Sequence, residues 1–270
     1  MGVKDATSPS RTTVATVPKP PSAHRAGAAR PGAAVTPITS APAITLGVAL
    51  LTWMVGWFMG NVLGSLVLAG SGKAKVPSAE RPVWLVAGMA IALWLPQIAA
   101  LAVASRRFST GNLAIDFSLR FKSIDLVGIP VGVLSQLLLL RLVYWPLEAV
   151  WPHTFGSKQL EQNARDLYDT AHGTWLLVLV LIIVVGAPFV EELVYRGLLM
   201  GAARRRLHDV VALVGVAVFF ALIHFRPVEY PGLFVFGLVL GGCVLVTDRI
   251  GMSIVAHMAF NATALALVAR

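Results

Sequence analysis

The chain has 270 residues, 57% of them hydrophobic and only 13% charged, where an average soluble domain carries about a quarter charged residues. No water-soluble core absorbs that imbalance, which excludes a soluble globular enzyme. The formal net charge of +9 does not indicate nucleic acid either. Lys and Arg stand in short clusters between apolar runs and in the N-terminal segment, a placement that suits topology signals and anionic lipid headgroups.

Residues 1–43 are rich in Pro, Ala, Ser and Thr, and set Lys4, Arg11, Lys19, Arg25 and Arg30 against the single acid Asp5. This composition buries too little apolar surface to offset its ordering entropy, so a disordered tail is expected. An Arg-bearing, acid-poor start also fits an organelle transit peptide, but the proline density argues against the amphipathic helix such peptides form.

Residues 44–270 read as an all-α, polytopic transmembrane bundle of about seven helices, since apolar runs of about 20 residues recur and each crosses a hydrocarbon core of roughly 30 Å. The runs are Ile44–Ala69, Val83–Ala104, Ile124–Tyr144, a long one from Thr174 that bends at Pro188, Val210–Phe225, Pro231–Val246, and Gly251–Val268. The fifth and sixth are short, about 24 Å each at 1.5 Å per residue, and flank the charged turn Arg226–Tyr230. The segment between Trp145 and Gly173 is no membrane span, and Ser157–Thr170 within it reads as a polar surface helix. If each helix crosses, the tail, the Arg106–Lys122 loop, Arg204–Arg206 and Arg249 share one side. The positive-inside rule makes that side, and the N-terminus, cytoplasmic at the cell membrane. Cys243 lies alone in an apolar run and reads as a packing residue.

The long fourth run contains Glu191, Glu192 and Arg196. Each charge at a helix centre carries an insertion penalty of about 2.5–3.5 kcal/mol, on the order of 8–10 kcal/mol for three. Glu192 and Arg196 are four apart and share a helix face, which makes an ion pair the natural compensation. Glu191 points about 100° away and is the carboxylate left for chemistry. The bland alternative is one buried salt-bridge network that only fixes packing.

The next helix supplies Phe220 and His224, and the last supplies His257 and Asn261 on one face. Taken singly, each polar group reads as interhelical hydrogen-bonding glue. Counted from the basic ends, Glu191, His224 and Asn261 lie at about 20, 22 and 18 Å and His257 at about 12 Å. Convergence inside the membrane is therefore permitted.

Glu191-Glu192 with Arg196, Phe220 with His224, and His257 with Asn261 together resemble the motifs of the CPBP family. That family includes the CAAX prenyl endopeptidases, lysostaphin-resistance-like proteins, and the bacteriocin-immunity and abortive-infection proteins. The resemblance covers about Gly186 to Asn261, within a catalytic region of about 174–268. It implies an intramembrane endopeptidase in which Glu191 and His224 activate a water while His257 and Asn261 stabilise the oxyanion. Its substrate is a membrane-embedded or lipidated protein. Glu192, Arg196 and Phe220 would support the site. No cofactor is expected. Zinc held by the same carboxylates and histidines is the alternative, although His-Glu-x-x-His is absent. Two non-peptidase readings stand beside it: a non-catalytic immunity or binding protein, and a transporter with Glu and His as proton relays. No internal repeat supports the transporter.

Overall fold

The computed structural model describes residues 43–270, and the tail with its expected disorder lies outside them. Every regular element among the described residues is helical. The principal helices are α1 (Leu46–Gly70), α2 (Val83–Phe108), α3 (Ser123–Val150), α4 (Ser157–Asp169), α5 (Thr174–Ala203), α6 (Asp209–Leu222), α7 (Tyr230–Thr247) and α8 (Gly251–Val268). Six spans among these residues are long and apolar enough to cross a bilayer. Their outward faces carry large apolar side chains such as Leu51, Phe58, Leu66, Leu95 and Leu142. In water such a surface would aggregate; in lipid it is the solvent-matched face, and the helix ladder satisfies each backbone group internally.

Three details differ from the expected elements. Helix α3 continues to Val150 rather than ending at Tyr144, carrying Pro146 inside it. The sixth apolar run is extended by the turn Pro227–Glu229 into a 21-residue span. The fifth, α6, has only 14 residues, about 21 Å of helix and too short to cross alone.

Around Pro188 the disturbance lies on both sides of the proline. The backbone of α5 takes π-helical turns over Leu181–Gly186 and again over Leu193–Met200. A proline has no N–H to give the preceding turn, and a π turn changes the ladder's register and releases a carbonyl to other partners.

Close approach between helices depends on glycine, as Gly60 and Gly128 illustrate. A Cβ at Gly60 of α1 would stand 2.6 Å from the Leu93 carbonyl oxygen of α2, and one at Gly128 of α3 would stand 2.6 Å from the Met252 carbonyl oxygen of α8. These contacts bring backbones together as small residues do in membrane bundles. Helix α5 runs through the main core, where Val190, Val194 and Leu198 pack with Leu101, Phe220 and Ile254.

The ends of the bundle differ. At the end where α1 begins and α5 finishes, Arg249 Nη2 bonds Asp125 Oδ1 at 2.6 Å, and Arg204 pairs with Asp209 at 2.9 Å and Asp248 at 3.4 Å. Asp116 sits there too. Burial pushes its carboxyl up, but hydrogen bonds from Ser105, Thr110 and Ser109 outweigh this and hold it below the usual aspartate value. At the opposite end, α4 rests Leu167 and Tyr168 on the cluster that includes Leu265 and Val268 of α8.

Candidate active site

The charged residues of α5 separate into two kinds. Glu192 and Arg196 are buried, at 0% and 2% exposure, whereas the Glu191 side chain keeps 27%. Arg196 Nη1 donates to Glu192 Oε1 at 2.9 Å, and Nη2 donates to the Gly237 carbonyl of α7 at 3.2 Å. The guanidinium carbon lies 4.5 Å from the centre of the Phe220 ring, a cation–π contact in a desolvated place. An ion pair of this burial is tolerable only with such extra partners.

Helix α8 brings His257 against both carboxylates. Its Nδ1 is 2.9 Å from Glu192 Oε1 and its Nε2 is 3.9 Å from Glu191 Oε2. The imidazole is thus fixed by the buried carboxylate and turned toward the open one, as an outer carboxylate orients an active-site histidine. Phe236 of α7 stands edge-on to it, with ring centres 5.4 Å apart.

His224 lies just beyond the last turn of α6. Its Nδ1 bonds the Phe220 carbonyl at 2.6 Å; a carbonyl only accepts, so Nδ1 is the donor and Nε2 is left for another partner. The Phe220 ring stands between the two histidines, 4.8 Å from His224 and 6.1 Å from His257. Phe220 thereby touches Arg196 and both histidines, a role its 1% exposure fits. His224 forms no ion pair with Glu191 among the described residues. Asn261 Nδ2 donates to the Ile183 carbonyl at 2.9 Å, within the first π-helical stretch of α5.

The structure therefore gathers Glu191, Glu192, Arg196, Phe220 and His257 directly. His224 is attached through Phe220, and Asn261 through the backbone of α5. Sequence reasoning did not supply the Glu192–His257 bond, the Gly237 carbonyl or Phe236. The bond joins residues 65 positions apart, and neither a backbone carbonyl nor an apolar ring carries a motif. Tyr144 of α3 was missed as well. Its hydroxyl donates to the Val228 carbonyl at 2.9 Å and accepts from the Gly232 amide at 3.1 Å, tying down the turn that follows His224.

Among the described residues no group of three or more His, Cys, Asp or Glu side chains is arranged to hold a metal ion. Two histidines and a partly open carboxylate around an apolar ring suit proton transfer to and from a small polar molecule. Residues 173–263 match the family described as type II CAAX prenyl endopeptidase Rce1-like. No curated protein matches the chain, and no solved structure does.

Proposed function

Because residues 173–263 match the family described as type II CAAX prenyl endopeptidase Rce1-like, we propose that this chain hydrolyses a peptide bond in a membrane-associated or lipidated protein. Water is activated by Glu191 and His224. The observation that carries this reading is the division of labour between adjacent glutamates. Glu192 is fully buried and committed to Arg196 and His257, while Glu191 is partly open and faces His257 Nε2.

In the proposed reaction Glu191 accepts a proton from a water also held by His224 Nε2, and the hydroxide attacks the scissile carbonyl carbon. The C=O π pair moves onto oxygen. His257 and Asn261 stabilise that oxyanion, for which a preorganised donor is worth roughly 3–4 kcal/mol of barrier. The intermediate collapses as the C–N bond breaks, and the proton held by Glu191 passes to the leaving amine. No metal is used.

The test is cleavage of a farnesylated C-terminal peptide, and of its unprenylated counterpart, by purified protein and by Glu191→Gln. Cleavage by the wild type and none by the variant is expected. Equal cleavage by both would remove Glu191 from the mechanism. Protein treated with chelator should keep its rate; loss of activity restored by stoichiometric zinc would replace this scheme with a zinc-dependent one.

A further inference from the structure

A cavity of about 310 Å³ opens at the basic end of the bundle, and none of Glu191, His224, His257 and Asn261 lines it. At about 30 Å³ per water it has room for roughly ten waters, or for a phosphodiester. It is walled by Asp116 and Ser118 before α3, Gly197 and Gly201 of α5, Arg204 and Arg205 after α5, Asp209 of α6, and Asp248 after α7, with Arg196 among the lining residues. We propose that it binds the phosphate of an anionic membrane phospholipid, whose acyl chain lies along α6.

Formal charges on the wall balance, three arginines against three aspartates, but they are not equally available. Asp209 and Asp248 both turn onto Arg204. Asp116 is taken by the hydroxyls of Ser105, Ser109 and Thr110 and by the Thr110 amide. Arg196 is committed to Glu192 and the Gly237 carbonyl. Among the described residues Arg205 makes only a long 3.4 Å bond, to the Ile44 carbonyl. Outside the lining, Arg120 reaches the Asp248 carbonyl at 3.5 Å. The weakly held Arg205 guanidinium has the fork geometry that grips phosphate oxygens, and a basic pocket between membrane helices at the interface is where headgroups are held. Bare Gly201 leaves the space open: a Cβ there would meet only the Arg196 carbonyl oxygen, at 3.9 Å.

The surroundings favour a lipid over a free ion. From the Asp209 rim, Val210, Val214, Val218 and Leu222 follow at helical spacing along one face of α6, exposed by 56, 39, 41 and 50%. This stripe leads from the headgroup level into the hydrocarbon, along the line an acyl chain would take.

The test uses delipidated full-length protein in nonionic detergent, titrated with phosphatidylglycerol, phosphatidylcholine or inorganic phosphate. Native mass spectrometry and thermal unfolding report binding. Phosphatidylglycerol should bind and raise the unfolding temperature, with inorganic phosphate far weaker and phosphatidylcholine without effect. Arg205→Ala and the cavity-filling Gly201→Leu should each weaken phosphatidylglycerol binding roughly tenfold, equivalent to about 1.4 kcal/mol. Arg106→Ala, at the same end but outside the cavity, should not. If Gly201→Leu does not fold, the exposed Arg205 position still decides. Unchanged binding in the cavity variants, or an equal loss in Arg106→Ala, would overturn the site. A full effect from inorganic phosphate alone would overturn its assignment to a lipid.

Discussion

At the residue scale, two adjacent glutamates in one helix have different environments because 100° of helix rotation points one into the core and the other toward a partly open face. Glu191→Gln is expected to keep the fold and lose peptide hydrolysis, since the amide preserves shape but accepts no proton from water. His224→Ala should be similarly inactive. Asn261→Ala should retain a hundredth to a thousandth of the rate, roughly the loss expected for one oxyanion donor. Arg196→Ala removes the ion-pair partner of Glu192 in the core and leaves it only the His257 bond, a change of about 3–5 kcal/mol for a broken buried pair. It should lower the unfolding temperature and the folded yield together, and full stability in detergent would deny Arg196 its structural role.

At the element scale, the site depends on how α5 and the turn after α6 are held. The π-helical stretch Leu181–Gly186 contains the carbonyl that Asn261 bonds, so the irregular helix and the last helix position each other. The turn after His224 is fastened from α3, where the Tyr144 hydroxyl serves one carbonyl and one amide at once. Tyr144→Phe keeps the ring and removes both bonds. A buried polar group left unsatisfied costs about 1–3 kcal/mol, so unfolding in detergent should shift measurably to lower temperature. A Phe variant as stable as the wild type would show that the turn is held by other contacts. Close packing of α3 on α8 gives a second test. A Cβ at Gly132 would collide with the Ala256 carbonyl oxygen, so Gly132→Ala should destabilise the bundle even though alanine is the better helix former.

At the scale of the whole molecule, one end of the bundle gathers the Arg204 and Arg249 ion pairs and the hydrogen-bonded Asp116. The Asp116 carboxylate there has a depressed folded-state pKa, for which burial is opposed and outweighed by hydroxyl hydrogen bonds. Such a group contributes stability above the ordinary aspartate value, and the contribution fades as pH falls below that value and through the depressed one. Asp116→Asn should therefore lower stability at neutral pH and flatten its loss in acid; identical acid profiles would remove Asp116 as a determinant. The proposed orientation places this end in the cytoplasm and α4 outside. Cysteine at Gln159 in a Cys243→Ala background should react with an impermeant reagent added to intact cells, and reaction only after permeabilisation would reverse the topology.

The sequence by itself determined the membrane-spanning helices, because lipid demands long apolar segments with internally satisfied backbones and that demand is written in composition and run length. It also determined the Glu192–Arg196 pair, because four-residue spacing is local geometry. What only the tertiary structure decided was of another kind: the bond from His257 to Glu192, the ring of Phe220 set between two histidines, the π-helical turns around Pro188, and the Tyr144 tie. Each joins elements distant in sequence or reflects how α5 settles against its neighbours, and packing geometry of that sort leaves no period, run or spacing to be read in a single chain.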